Sequence, residues 1–473
     1  MESITKEPVS PTGQYLNSSA LSLSILGVLE FEVPIDNLPV MSLIKDLFLP
    51  INPRFSSIMV VDENGEKQWK RVEVELHNHV KMPIFPSGLS PEFYDKYFDD
   101  YISKIGMEQF RRTRPLWEIH VIKYPTTTAA AVMIFKLHHS LGDGFSLMGA
   151  LLSCLQRADN PSLPLTFPSV HLHSNRNGSN NNNILKSVSK VLSVISMTVS
   201  DFSWSIIKST LVEDDKTPIR SGDGGIEFRP TTTATMIFSL DKIRQIKTKL
   251  RATINDVITG IIFLGTRLYM QEMSQDSSKA QSTAVILLNT RVFRSYESVK
   301  DMVKPNAKAP WGNRFAFLHV SIPHLTDDAT SSNPLEFVLK AQQIISAKKN
   351  SLAVYLTAQL LEILKKFKGP EAAAGFIHGT LKNTSMGISN LMGPVEQMAL
   401  ANHPVRGLYF TVVGVPQSLC ITIVSYTGKL RVAVGAEKGF IDTPKFKCCV
   451  ENAFQMILKA ACESTGTPQH VRE

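Results

Sequence analysis

The stretch KLHHSLGDGFS, Lys136 to Ser146, decides how the fold of this chain is interpreted. It follows an apolar run of strand length at 129–137 and precedes a segment at 145–155 whose apolar residues recur at helical spacing. The two histidines therefore lie at a strand–loop–helix junction, where flanking glycines permit a tight turn around Asp143. Because neighbouring side chains of a strand point to opposite faces, we expect one histidine to be structural and the other free to act.

The histidine pair admits three interpretations. A metal site would need both imidazoles on one side, together with Asp143 and a further ligand. A structural interpretation leaves both histidines as packing residues and makes Asp143 the N-cap of the following helix. In the third, a neutral imidazole removes a proton from a substrate hydroxyl near pH 7. We expect no metal, and the residues alone leave the other two interpretations open.

Composition and missing motifs narrow the class of protein. The chain has 473 residues, more than one hydrophobic core usually serves, so we expect two domains. A net charge of +8 suits a polyanionic ligand or an anionic membrane surface, and we expect no nucleic-acid partner. No GxSxG elbow, P-loop or GxGxxG fingerprint occurs, so neither a serine esterase nor a nucleotide-binding fold is indicated. Five cysteines without a CxxC pair favour a reducing compartment, and the start of the chain is not a secretory signal.

Strand and helix patterns alternate along the whole chain, which predicts an α/β fold with mixed sheets. Polar segments at 173–183 and 211–225 read as loops. We therefore expect an N-terminal half at 1–160, a crossover linker at 161–230 and a C-terminal half at 231–473. Predicted helices in the C-terminal half cover 253–273, 334–350, 353–367 and 450–462, and predicted strands cover 233–241, 282–292, 312–322, 384–391, 407–416 and 420–435.

Further short motifs narrow the interpretation. HHSLGDG matches the HHxxxDG motif of CoA-dependent acyltransferases, and EPVSP, residues 7–11, resembles an N-terminal element of some of them. The other motifs, in chain order, are Pro115-Leu116-Trp117, Asn255-Asp256, Asn289-Thr290-Arg291, Ser389-Asn390 and Gly393-Pro394. In this order and spacing, from about Pro8 to Cys462, the chain resembles the plant branch of the wax ester synthase/diacylglycerol acyltransferase family.

The resemblance implies two chloramphenicol-acetyltransferase-like domains with an active-site tunnel between them. It makes His139 the general base, His138 mainly structural, and Asp143 the ion-pair partner of Arg291. Substrate-binding positions would be Gly144, Asn289, Arg291, Ser389 and Asn390, with Asn390 as a candidate oxyanion donor. Structural motif positions would be Pro115, Leu116, Trp117, Asn255 and Asp256. Core packing of Leu116 and Trp117, helix capping by Asn255 and Asp256, and strand-end packing of Ser389 and Asn390 remain alternatives.

The function that the resemblance implies is acyl-CoA-dependent O-acyl transfer to long-chain fatty alcohols, giving wax esters, and to diacylglycerol, giving triacylglycerol. Acyl-CoA would be a co-substrate, and no cofactor is expected. The alternatives are an acyltransferase for a small soluble alcohol or amine and an inactive lipid-binding relative. Intact His139 and Asp143 favour an enzyme.

Residues 184–212 bear on where such an enzyme would work. Their apolar residues recur at intervals of three, four or seven, and charged residues interrupt the run. We expect an amphipathic helix in a membrane interface, on the cytosolic face of the endoplasmic reticulum. A buried crossover helix, a single membrane span and a plasma-membrane location are the alternatives. A span is disfavoured because Asp201 would lie near its centre, and because it would put His139 and Arg291 on opposite sides of the bilayer.

Overall fold

The protein is described from a computed structural model, which covers residues 7–63, 67–166, 184–291, 302, 307, 310–325 and 333–463. Of residues 184–194, 278 and 350 only the backbone is described. The strands are β1 Glu7–Pro8, β2 Ser24–Phe31, β3 Ser57–Val61, β4 Lys67–Arg71, β5 Val80–Lys81, β6 Trp117–Ile122, β7 Ala131–His138, β8 Gln156–Arg157, β9 Thr231–Ser239, β10 Thr283–Asn289, β11 Phe315–Ser321, β12 Met386–Met392, β13 Met398–Leu400, β14 His403–Val413, β15 Leu419–Tyr426 and β16 Lys429–Glu437. The helices are α1 Pro11–Tyr15, α2 Val40–Leu43, α3 Pro91–Met107, α4 Gly144–Ser153, α5 Ile184–Thr210, α6 Leu240–Leu250, α7 Ile254–Met273, α8 Leu335–Asn350, α9 Ala353–Lys368, α10 Pro370–Lys382 and α11 Thr443–Glu463.

A seven-stranded sheet carries the histidine pair. Its order is β5-β6-β7-β2-β14-β13-β8, and β7 pairs antiparallel with β2 from Ala131 opposite Phe31 to His138 opposite Ser24. Strands β14 and β13 come from the C-terminal half of the chain, and β14 pairs with β2 along its length. The C-terminal half therefore completes the sheet of the N-terminal half. The proposed division of the chain at residues 160 and 230 stays a prediction.

A second sheet has six strands, in the order β11-β10-β12-β15-β16-β9. Strand β12 pairs parallel with both β10 and β15, and the other pairings are antiparallel. Helix α7 is buried beneath this sheet between α8 and α11. A Cβ at Gly260 would lie 2.7 Å from Val338 Cα, and one at Gly265 would lie 2.6 Å from Val450 Cα, so both glycines are needed for this close packing.

Local sequence signals account for several of these elements. The predicted capping box is present, because Thr253 Oγ1 accepts from Asp256 N at 3.1 Å and Asp256 Oδ2 accepts from Thr253 N at 2.8 Å. The predicted loop at 211–225 contains no helix or strand, and the one at 173–183 lies outside the described residues. Within the part of the chain that is described, we find no helix with the length and apolar character that a bilayer span requires.

Candidate active site

The HHSLGDG motif lies at the predicted strand–loop–helix junction. His138 is the last residue of β7, and the chain turns at once, with Leu141 N donating to His138 O at 3.0 Å. Helix α4 then begins with Asp143 as its N-cap, whose Oδ1 accepts from Ser146 N at 3.0 Å. A β-strand with an apolar sequence ends here because the glycine-rich turn directs the chain into a helix whose first N–H groups need an acceptor.

The two histidines face different cavities, as the strand geometry predicted. Both are nearly inaccessible, with 2% and 4% of their surface exposed. His138 borders a cavity of about 120 Å³ that is lined by several serines and by Arg112. His139 borders a separate cavity of about 90 Å³ with mainly apolar walls. The histidine pair therefore lies between a polar cavity and a mainly apolar one.

His138 has both ring nitrogens occupied. Its Nδ1 accepts from Ser140 N at 3.1 Å and lies 2.7 Å from Ser140 Oγ, while Nε2 lies 3.1 Å from Ser22 Oγ. Because Nδ1 accepts a backbone N–H, the proton of the neutral ring belongs on Nε2, which donates to Ser22. Burial, followed by the neighbouring His139, lowers the pKa of His138 to about 3. This histidine is therefore neutral near pH 7 and serves to hold the loop.

His139 is held by Asn313, a residue 174 positions further along the chain. The amide Nδ2 of Asn313 donates to His139 O at 3.0 Å, which leaves Asn313 Oδ1 to accept from His139 Nδ1–H at 3.0 Å. The proton of neutral His139 is thus assigned to Nδ1, and the lone pair of Nε2 remains available. Burial lowers the pKa of His139, and the negative charge of Asp143 opposes that shift. The arrangement holds His139 as a neutral imidazole of fixed orientation.

Asp143 forms the ion pair with Arg291 that the resemblance implied. Arg291 Nη1 lies 2.7 Å from Asp143 Oδ2, and Nη2 lies 3.1 Å from Oδ1. The same guanidinium donates to the carbonyls of Gly312 and Pro310 at 2.6 and 2.9 Å, and its Nη2 to Ser146 Oγ at 3.0 Å. All its nitrogens are therefore engaged by the protein. Arg291 was expected among the substrate-binding residues, but it does not line the cavity of His139 and instead joins the α4 loop to the chain before β11.

The other predicted substrate-binding residues all border the cavity of His139. They are Gly144, Asn289, Ser389 and Asn390. Asn289 Oδ1 accepts from Arg291 N at 3.0 Å, and Asn390 Nδ2 lies 3.3 Å from Asn255 Oδ1. A Cβ at Gly144 would lie 3.0 Å from a methyl group of Leu391, so a side chain here would push against the cavity wall.

The predicted structural motif residues do not line this cavity, although Asn255 contacts Asn390, which does. Trp117 is fully buried, donates from Nε1 to Phe55 O at 2.8 Å and stacks on His79 with ring centroids 4.3 Å apart. Pro115 is buried beside it, and Leu116 borders the cavity of His138. Asp256 is occupied by its capping box. The packing and capping alternatives therefore describe Trp117 and Asp256 correctly.

Apolar side chains from both sheets form the rest of the cavity wall around His139. Those from the seven-stranded sheet include Ile25, Phe410 and Val412, and those from the six-stranded sheet include Leu287, Phe315 and Ile388. The cavity therefore lies between the two sheets, and its walls suit a hydrocarbon chain. Within the described ranges there is no group of three or more histidine, cysteine or acidic residues that could hold a metal ion.

Solved structures with the same fold confirm the architecture expected for the chain. A wax ester synthase/diacylglycerol acyltransferase from Marinobacter aquaeolei VT8 matches with a TM-score of 0.58 and 16% identity, over 96% of this chain and 100% of that one. The starter condensation domain of rhizomide synthetase matches with a TM-score of 0.54 and 10% identity, over 98% of this chain and 95% of that one. The fold is therefore a mixed α/β, two-domain architecture of the chloramphenicol-acetyltransferase-like type.

Sequence comparison identifies the family to which the chain belongs. Residues 49–258 match the wax ester synthase/diacylglycerol acyltransferase catalytic domain, and residues 311–458 match the WS/DGAT C-terminal domain. Wax ester synthase/diacylglycerol acyltransferase 4 of Arabidopsis thaliana is 30% identical over 94% of this chain and 88% of its own length. Wax ester synthase/diacylglycerol acyltransferase 11 of the same plant is 28% identical over 94% and 93%. The chain belongs to the wax ester synthase/diacylglycerol acyltransferase family.

Proposed function

We propose that the protein transfers a fatty acyl group from acyl-CoA to a lipid hydroxyl, with His139 as the general base. The observation that carries the proposal is the contact between His139 Nδ1 and Asn313 Oδ1 at 3.0 Å, which assigns the ring proton to Nδ1. Asn313 accepts the Nδ1 proton, so the basic Nε2 is directed away from this contact in a ring that borders an apolar cavity. Burial keeps the imidazole neutral near pH 7, as a base for an alcohol must be.

The chemistry then needs no protein nucleophile. His139 Nε2 takes the proton of the alcohol as the alcohol oxygen attacks the thioester carbonyl, and a tetrahedral oxyanion forms. Its collapse breaks the carbon–sulfur bond, and the departing CoA thiolate takes the proton back from Nε2. Asn313 Oδ1 stabilises the transient imidazolium, and a base placed in this way contributes roughly 10²- to 10⁴-fold. Asn390, which borders the cavity, is the candidate oxyanion donor.

The two cavities give each substrate its own approach to the histidine pair. The cavity of His139 has apolar walls that suit the hydrocarbon chains. The cavity of His138 has a polar, serine-rich lining that includes Arg112 as well as Glu108 and Glu227. This polarity suits the CoA portion, whose phosphates Arg112 can attract. The thioester carbonyl and the alcohol must still meet at His139 Nε2, and holding them together there adds the benefit of proximity.

The acceptors that we propose are long-chain fatty alcohols and diacylglycerol. Support comes from the apolar cavity and from the names of the plant relatives, which carry both activities. We also propose that the protein works at the cytosolic face of the endoplasmic reticulum membrane, where such acceptors dissolve. A single span at α5 conflicts with the pairing of β2 and β14, because the chain before and after α5 builds one sheet.

The test is a substrate panel with purified protein. Labelled palmitoyl-CoA is offered with a long-chain alcohol, with diacylglycerol, or with a water-soluble alcohol or amine of short chain. We expect ester from the first two and little from the others. Transfer only to the soluble acceptors would replace the lipid assignment with that of a small-molecule acyltransferase. No transfer to any acceptor, with retained acyl-CoA binding, would favour an inactive lipid-binding relative.

A further inference from the structure

Helix α5 is fixed to the protein by polar side chains. Among residues 195–210, whose side chains are described, the buried ones are Thr198, Lys208 and Ser209. Thr198 Oγ1 accepts from Leu352 N at 3.1 Å, and Asp201 pairs with Lys348 at 2.8 Å. Two turns after Asp201, Lys208 Nζ lies 2.6 Å from Asp214 Oδ1, in a pair that is almost fully buried. Polar and ionic contacts thus fix this helix to the body of the protein, a role that apolar residues normally have.

Some apolar side chains of α5 face outward, whereas Met197, Phe202, Ile206 and Ile207 are half-buried. Ile195 and Val199 are 53% and 59% exposed, although they flank the buried Thr198. A second apolar stripe follows one side of the neighbouring helix α9, where Ile363 and Phe367 are 53% and 76% exposed. Leu352, 54% exposed, immediately precedes α9 and donates its N–H to Thr198. The two stripes therefore meet at Leu352. We call this surface, made of Ile195, Val199, Leu352, Ile363 and Phe367, the α5–α9 face.

Two features of the surroundings indicate what covers this face. Exposed lysines lie next to it, with Lys349 at the end of α8 and Lys366 and Lys368 at the end of α9. These charges complement anionic headgroups. In addition, Phe317 borders both the cavity of His139 and a small cavity beneath α5 that Ser205 and Thr357 also line. The apolar space around the catalytic base thus approaches the underside of this face.

We propose that the α5–α9 face docks on the surface of an anionic lipid bilayer, with its apolar side chains among the acyl chains and the lysines at the headgroups. The polar underside of α5 keeps the helix attached to the protein while its apolar side enters the lipid. This orientation would bring a dissolved lipid alcohol to the side of the protein behind which the cavity of His139 lies. The last point rests on the proposed function, whereas docking itself does not.

The test is vesicle flotation of the full chain without substrate. Vesicles of phosphatidylcholine are compared with vesicles that also contain phosphatidylserine. The test variants are Ile195→Gln/Val199→Gln and Ile363→Gln/Phe367→Gln. The matched control is Ser196→Gln/Ser200→Gln, which places the same neutral, helix-compatible side chains at exposed positions of the same helix. Because all these side chains are solvent-exposed, melting temperatures should be unchanged.

We expect wild type and control to bind phosphatidylserine vesicles more tightly than phosphatidylcholine vesicles, and each test variant to bind at least about ten-fold more weakly. Equal binding by test and control variants would overturn the proposal. So would wild type that fails to float, or a wild-type dimer in light scattering that the α5 variant converts to monomer, since a second copy would then cover the face. Vesicle binding without acyl transfer would leave docking intact and refute only the proposed function.

Discussion

The contact between Asn313 and His139 leads to the most specific prediction about catalysis. Asn313→Leu keeps the approximate size of the side chain but removes the acceptor for Nδ1–H and the donor to His139 O. A buried donor left without a partner costs about 1–3 kcal/mol. If this cost falls on the orientation of the base, a tenfold rate change per 1.36 kcal/mol gives a loss of roughly 5- to 150-fold in kcat.

Asn313→Asp tests the same contact through pH. A carboxylate beside Nδ1–H favours the imidazolium and raises the pKa of His139. Because only the neutral imidazole can take a proton from the alcohol, the acidic limb of kcat should move to higher pH. A substitution that merely disturbed packing would lower the rate without moving this limb.

The assay measures transfer from labelled palmitoyl-CoA to a long-chain alcohol between about pH 5 and 9, with melting temperatures in parallel. Ser22→Ala is the matched control, because it removes a hydrogen-bond partner of the other histidine, His138. We expect it to lower stability more than rate. The reasoning is refuted if Asn313→Leu retains its rate within about two-fold and Asn313→Asp leaves the acidic limb in place.

Three further predictions follow from the same site. Asp143→Asn leaves buried Arg291 without its counter-charge, so unfolding free energy should fall by roughly 3–5 kcal/mol together with the rate; an unchanged melting temperature with lost activity would instead give Asp143 a direct chemical role. The pKa of His138 is about 3 in the folded protein and 6.5 ordinarily, so as the pH falls this residue is protonated in the unfolded chain before it is protonated in the folded one. The free energy of unfolding should therefore decrease as the pH falls from about 6.5 towards 3, and His138→Gln should flatten that part of a denaturation–pH curve. Chelator treatment should leave acyl transfer unchanged, and recovery of lost activity with zinc would contradict the mechanism.

Much of the catalytic junction could be predicted from local sequence. The apolar run before His138, the glycines around Asp143 and the helical spacing after it are neighbours in the chain, and each constrains the next few residues. Divergence of the two histidines followed from strand geometry alone. The Asp143–Arg291 pair spans 148 positions and was inferred from the resemblance, not from any local pattern.

Other parts of the site depend on tertiary packing and had no local signal. Asn313 precedes strand β11 as an ordinary polar residue, and its relation to His139 exists only once the two sheets are packed together. Strand β2, which pairs with β7, was not predicted. For α5, the spacing of apolar residues predicted a stripe. It could not reveal that Thr198, Lys208 and Ser209 are the residues buried against the protein, because periodicity separates the faces of a helix without showing which one faces the core.

The central claim is that His139 Nε2 accepts the proton of the acceptor alcohol. The most direct measurement is the rate of ester formation by His139→Ala, with labelled palmitoyl-CoA and a long-chain alcohol at saturating concentrations, alongside its melting temperature. The account predicts a folded protein whose rate is lower by at least about 10²-fold, the minimum contribution of a general base. A folded His139→Ala protein that kept more than about a tenth of the wild-type rate would contradict the account.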